Sequence, residues 1–310
     1  TKERSFTLLY GALQESCDGA GLHAPSSKTV RKWLHEEKTA EDATRARSGD
    51  AVAYKHVPFY FHLHYHIPVH GLFPWHIVHI DHTKVDIQIV VRTNKLETKR
   101  AWLSIAVDAM SRRVLAVILL WDEPSHRTCA LLIRALVKRW GRVPNTIVVD
   151  GGSEFRSVHF EMLLATLNIK RKTRPGKKPR YGSLIERMFG LTDQALLHQL
   201  SGNTKATKRD VRTVTTETNP KNAAVWTLPA LLEALENWFF NEYDGLEHGT
   251  LGMSPSQAYA EAQARFGTRQ HKFVKFSRAF EISTMSSPPK GSAREVPCSG
   301  VKIPQEIYST

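Results

Sequence analysis

Short runs of branched apolar residues dominate the middle of the chain. HIVHID (76–81), KVDIQIVV (84–91), RAWLSIAVD (100–108) and RRVLAVILL (112–120) are rich in Val and Ile, and each is of strand length, so they predict strands. PSHRTCALLIRALVKRW (124–140) instead carries apolar side chains at helical spacing and predicts an amphipathic helix opened by Pro124. A buried strand NTIVVD (145–150), a helix FRSVHFEMLLATL (155–167) and a short strand NIKRKTR (168–174) come next, giving an α/β alternation. In the helix predicted after Pro179, Leu184, Met188, Leu191 and Ala195 recur at a 4, 3, 4 spacing and form the expected buried stripe. Glu186 lies about 200° around that helix from Leu184, so it faces the other way.

The flanks read differently. FTLLYGALQESC (6–17) and KTVRKWLHEE (28–37) are helical patterns separated by DGAGLHAP (18–25), with Ser26 or Ser27 as the cap of the second. Lys28, Arg31 and Lys32 fall on its polar side while Val30, Trp33 and Leu34 can pack inward, the pattern of a recognition helix or of an αα-hairpin with a solvated basic face. Residues 38–56 are polar and predict a linker, which sets a first domain at 1–48 and a connecting segment at 49–73. In FHLHYHIPVH (61–70), His62, His64 and His66 share one side of an extended segment, either as metal ligands or facing solvent and phosphate. TKATKRDVRTVTTETNPKNAA (204–224) reads as an exposed insertion, and 227–244 and 254–266 as closing helices.

Composition narrows the class. The 310 residues are 41% hydrophobic, enough for a sizeable core, and a formal net charge of +13 favours a polyanionic partner. Cys17, Cys129 and Cys298 form no paired motif, which argues against a disulfide framework or a zinc knuckle and for a reducing cytoplasm. The longest apolar run, VLAVILLW (114–121), is far short of the roughly 20 residues of a membrane span, and the first residues have no signal-peptide pattern.

Three acids carry the chemistry. Asp81 ends one predicted strand, Asp150 ends another, and Glu186 comes after 35 intervening residues near the start of a helix. Three converging carboxylates suit hard cations such as Mg²⁺ or Mn²⁺, which take oxygen ligands and keep room for phosphate oxygens. Two such ions about 3.5–4 Å apart stabilise both the attacking and the leaving oxygen of an in-line displacement.

The segments around these acids, HIDHT (79–83), VVDGGSEF (148–155) and YGSLIERMFG (181–190), resemble the DDE transposases and retroviral-type integrases. WLSIAVDAMSRRVLAVIL (102–119), DEPSHRT (122–128) and YDGLEHGTLGMSPSQAY (243–259) are similar to the TnsB/TniA and Mu transposase branch. The resemblance implies an RNase H-like core over 74–267, a mixed sheet flanked by helices, with Asp81 on its first strand and Asp150 at the end of its fourth. It implies a helix-turn-helix DNA-binding segment before the core and, over 268–310, the start of a small β-barrel. Asp81, Asp150 and Glu186 would be the catalytic metal ligands, holding two Mg²⁺ ions with Mn²⁺ as a substitute. Double-stranded DNA at transposon ends and target, a homo-oligomer assembled on DNA, an ATPase partner for target choice and a bacterial, nucleoid-associated setting are the implied context. The alternatives are a retroviral-type integrase, an insertion-sequence transposase, or a non-catalytic DNA-binding regulator with a vestigial core.

Besides Lys28, Arg31 and Lys32, a second basic run precedes the third acid. Lys170, Arg171, Lys172, Arg174, Lys177, Lys178, Arg180 and Arg187 could neutralise DNA phosphates and Tyr181 could stack on a splayed base; a solvated loop is the plainer reading. Asp108 also ends a strand-like run, but its place before Ser111 predicts a turn former.

Overall fold

The computed structural model describes residues 5–37, 39–57, 70–92, 97–152, 154–174, 183–205 and 219–285. His62, His64 and His66, the loop residues Lys177, Lys178, Arg180 and Tyr181, Cys298 and most of the 204–224 insertion lie outside them.

At the amino-terminal end, α1 (Phe6–Gly19) and α2 (Ser27–Glu37) form the expected pair. Ser26 is the cap of α2, its Oγ accepting the Thr29 N–H at 3.2 Å. The two helices are joined by Val30, 6% exposed, by the Tyr10 hydroxyl donating to the Pro25 carbonyl at 2.9 Å, and by the Arg31 guanidinium 4.3 Å from the Phe6 ring centroid. Trp33 differs from expectation: it is half exposed, because Val30 and Leu34, one turn apart, already occupy the inward side. The stretch read as a linker also folds locally. Thr39 caps α3 (Ala40–Ser48) by accepting the Asp42 N–H, Glu41 and Arg45 pair one turn apart, and α4 (Asp50–Ala53) follows with a turn of 3-10 helix over Tyr54–His56.

The core begins at β1 (Ile77–Lys84). The run KVDIQIVV does not join the main sheet; its second half is β2 (Ile89–Arg92), paired with β3 (Glu97–Lys99) in a separate hairpin. Next come β4 (Trp102–Asp108), β5 (Val114–Leu120), α5 (His126–Trp140), β6 (Arg142–Val143), β7 (Thr146–Val149), α6 (Val158–Thr166) and β8 (Lys170–Thr173). The five-stranded sheet has the order β5-β4-β1-β7-β8, antiparallel from β1 to β5 and parallel from β1 to β8. α5 starts after Ser125, whose N–H donates to Thr128 Oγ1 at 3.2 Å, and stops at Gly141, whose φ of 61° a residue with a Cβ adopts only at a cost.

Helices cover both faces of the sheet. One core joins Val78, Ile80 and Ile147 to α5 and α6; the other joins Ile105, Val107 and Val117 to α7 (Ser183–Ala195) and α8 (Leu228–Asn237), which continues as a π-helical turn over Trp238–Glu242. The buried side of α7 is Ile185, Met188 and Thr192 rather than the expected stripe: Leu191 is 37% exposed and Leu184 and Ala195 are not fully covered. Ile185 and Met188 lie within the second core, and Leu184 packs against it only partly buried.

α9 (Pro255–Phe266) and α10 (Arg278–Ser283) close the first core through Tyr259 and Phe280. The resemblance implied the start of a barrel over 268–310, but AFEIS (279–283) lies in α10, with Ser277 capping by accepting the Phe280 N–H, and β9 (Lys272–Phe273) pairs with β6 of the core. Within 268–285 no barrel strand is formed; the rest of the barrel assignment, 286–310, lies outside the described residues.

Asp108 is the turn former its sequence context predicts. Its fully buried carboxylate accepts the Ser111 N–H and hydroxyl at 2.8 and 2.7 Å and the Trp75 N–H at 2.8 Å, clamping the β4–β5 hairpin to the entry of β1. Asp108→Ala leaves three donors unsatisfied in a buried site, and urea denaturation should show a loss of about 3 kcal/mol or more; a change under about 1 kcal/mol would mean the clamp contributes little.

Candidate active site

Parallel pairing of β1 with β7 sets Val78 beside Ile147 and His79 beside Val148, so Asp81 and the residue just after β7, Asp150, come to the same end of adjacent strands. Asp81 shares its sheet face with its β4 partner Ile105, on the α7 side. Its Oδ1 accepts the His82 N–H at 2.8 Å and its Oδ2 accepts from Arg174 at 2.7 Å; both side chains are largely buried. Arg174 is fixed there because its N–H donates to the Val149 carbonyl at 2.8 Å, extending the β7–β8 pairing by one residue. Asp150 Oδ1 accepts the Gly152 N–H at 2.9 Å, a local turn that holds the carboxylate at the strand end.

These residues line an open cleft of about 370 Å³ together with His82, Trp102, Pro124 and two further acids, Glu123 and Glu154. Burial pushes the Asp81 carboxyl up from its ordinary pKa, with the Asp150 charge adding to the rise and Arg174 opposing it. Glu154 is likewise raised, by burial first and then by Asp150 and Asp81. His82, stacked on Phe155 with ring centroids 5.1 Å apart and within 2.6 Å of the Ser104 hydroxyl, is lowered to about 4 by burial. It is therefore neutral near pH 7. An oxygen-rich, partly desolvated cluster in which the Asp150 charge adds to the rise of both Asp81 and Glu154 matches the donor set of a hard divalent cation, which would relieve that repulsion.

The sequence placed Asp81 and Asp150 together, and so does the structure. Glu186 sits exposed in the first turn of α7, a helix that packs against β1, and is not among the residues lining the cleft. Glu154 is the acid sequence reasoning passed over, although its signal was present four residues after Asp150 in DGGSEF. Of the basic run, Arg174 pairs with Asp81, and Arg171 with Glu161 at 2.9 Å and with the Phe155 carbonyl, while Lys170 and Lys172 are exposed on β8. Lys28 and Lys32 are exposed on α2, Lys32 beside Glu36. Elsewhere, Asp86, Asp193 and His198 bring ligand-type atoms within 4.8 Å of one another, but the Asp86 carboxylate is already engaged by Arg100 at 2.5 Å. Among the described residues no helix is long and apolar enough to cross a membrane.

A five-stranded mixed sheet in this order, covered by helices and carrying paired aspartates on its central strand and the strand parallel to it, defines an RNase H-like core. Residues 79–202 match the model of the TnsB C-terminal domain family. The transposase for transposon Tn552 of Staphylococcus aureus is 30% identical over 138 residues, 42% of this chain. That match spans 28% of the relative's length. Among solved structures, the HTLV-2 integrase catalytic core domain in complex with magnesium is similar at 21% identity, covering 61% of this chain and 99% of that one, with a TM-score of 0.39. The simian T-cell lymphotropic virus intasome in complex with PP2A regulatory subunit B56 gamma is similar at 17% identity, covering 94% and 81%, with a TM-score of 0.44.

Arg174→Gln removes a buried cation from Asp81, so the Asp81 titration should move still further up in carboxyl ¹³C NMR, the protonated form losing its competitor. An unmoved or lower Asp81 pKa would show that Arg174 does not hold the carboxylate.

Proposed function

We propose that the protein is a DNA transposase that cuts at transposon ends and joins the freed 3′-OH to target DNA. The observation that carries this reading is the Asp81–Asp150 pair, set side by side by the β1–β7 register in a cleft rich in oxygen donors. Asp81 and Asp150 would hold Mg²⁺, or Mn²⁺ in its place, and Glu186 would complete a two-ion site when the segment before α7 is engaged by DNA. Bound there, the ions supply charge stabilisation for the attacking and leaving oxygens of an in-line displacement.

The chain's own residues do the rest. Asp81 and Asp150 each commit one carboxylate oxygen to a backbone N–H, and the other oxygen of Asp81 accepts from Arg174. Arg174 neutralises Asp81 until a cation or a phosphate draws it away, a role suited to a planar guanidinium that serves carboxylate and phosphate alike. His82, neutral and pinned between Ser104 and Phe155, walls off one side of the cleft without adding charge. No activated Ser or Tyr nucleophile is required, since water and then a DNA 3′-OH attack in turn.

Double-stranded DNA is the substrate in this reading, with Lys28, Arg31 and Lys32 of α2 contacting the transposon end and Lys170, Lys172 and the segment 175–182 the phosphates near the cleft. Two ends must be paired before both are joined, so a homo-oligomer on DNA follows from the chemistry, with an ATPase partner for target choice.

Asp150→Asn removes ligand charge without touching a basic surface. Strand transfer of a pre-cut end in Mg²⁺ should fall by several orders of magnitude while DNA affinity holds; equal joining by both proteins sinks the assignment.

Replacing Arg31 and Lys32 by Ala should weaken binding to end DNA more than to random duplex, because a recognition helix makes base contacts as well as phosphate contacts. Equal losses in a competition binding assay would reduce α2 to a basic surface.

A further inference from the structure

Two arginines meet in a second cavity, whose lining is separate from that of the carboxylate cleft. Its volume is about 290 Å³, and Arg112, Arg187, His70, His248, Leu184 and Met188 are among its lining. Arg112 occupies the β4–β5 hairpin with a φ of 65°, its backbone held by the Asp108 carbonyl at 2.9 Å and by the Tyr243 hydroxyl donating to its own carbonyl at 3.1 Å. Its guanidinium approaches His70 Nδ1 at 3.2 Å. The carboxylate closest in sequence, Asp108, is taken up by Trp75 and Ser111.

Arg187 projects from α7 one residue after Glu186, and among the described residues neither arginine forms an ion pair with a carboxylate. Glu247 lines an adjoining hollow that Arg187 also lines. Like charges in a partly buried space repel: burial lowers the Arg112 pKa and Arg187 adds to the fall while Tyr243 and Asp108 oppose it, and burial, then both arginines, lower that of His248. His79 of β1 is 5% exposed, with no hydrogen-bond partner on either ring nitrogen. It lies two residues before Asp81 on the same face of the strand, and burial first, then Arg174, the residue paired with Asp81, Arg112 and His70 lower its pKa.

A cation has no place in such a cavity, and an anion would relieve its repulsion. Guanidinium groups bind phosphate with directed hydrogen bonds, and the Leu184 and Met188 side chains offer an apolar surface that a sugar could cover. We propose that this cavity is a seat for one DNA backbone phosphate, next to the phosphate that reacts in the cleft, and that Arg112 and Arg187 thereby set the register of the strand on Asp81 and Asp150. The inference rests on the DNA-joining reading above.

The test is binding of wild type, Arg187→Gln and Arg112→Gln/Arg187→Gln to a random-sequence duplex across a salt series. Loss of one phosphate contact should flatten the plot of log K against log salt by about 0.9, and affinity should drop roughly tenfold at low salt. The exposed Arg187 serves as the arm in which folding is not at stake; it should by itself give most of the change, with an unaltered thermal midpoint. Slopes equal to wild type in both variants overturn the proposal. A parallel thermal scan with inorganic phosphate separates the sources: phosphate that stabilises only wild type while the duplex slopes coincide would make the ligand a free anion, also overturning it. The Mg²⁺ joining assay on wild type separates this inference from the reading beneath it. Joining with unchanged slopes rejects the cavity alone, whereas flattened slopes without joining reject the cleft chemistry and keep the phosphate seat.

Discussion

The cleft depends on one pairing register. Among the described strands of the main sheet, β1 alone has an antiparallel neighbour on one side and a parallel neighbour on the other, and its parallel contact with β7 fixes where two carboxylates meet. Shifting that register by one residue would turn Asp81 into the α5 side of the core and Ile80 into the cleft. Both exchanges would be costly, one burying a charge without a partner and the other exposing an apolar side chain. The strand's burial pattern therefore protects the site: Val78 and Ile80 are anchored in one core while Ile105 and Val107 of β4 anchor the other.

Charge is distributed around that point in a way that folding alone does not require. Arg174 compensates the acid on the central strand, and the same guanidinium is delivered by the last residue of the β7–β8 pairing. Arg112 and Arg187 form no ion pair with a carboxylate among the described residues. The carboxylate cleft thus suits cations and the arginine cavity suits anions. A phosphodiester strand with its associated metal ions has the matching distribution.

The amino-terminal helices obey a different logic. Their contacts are few and local: a capping serine, one buried valine, a tyrosine hydroxyl on a carbonyl and an arginine over a phenyl ring. The basic side chains of α2 are left on the surface, Lys28 and Lys32 exposed, and Trp33 with them.

Local pattern determined the elements and the identities of the acids. Val- and Ile-rich runs of strand length, the amphipathic period of α5 and Asp residues closing two of the runs were all legible, because propensity and periodicity act over a few residues. The sequence alone also marked Asp108 as a turn former, since its partner Ser111 is three residues away. Tertiary structure decided what rests on distant partners. It split KVDIQIVV off into a hairpin, rotated the buried side of α7 to Ile185 and Met188, folded AFEIS as a helix against the core, and put Glu154 and Arg174 beside Asp81 and Asp150. Except for Glu154, four residues after Asp150, none of these follows from spacing, because each is set by which surface is left uncovered once the sheet has formed. The Arg112–Arg187 cavity, joining residues far apart along the chain, is of the same kind.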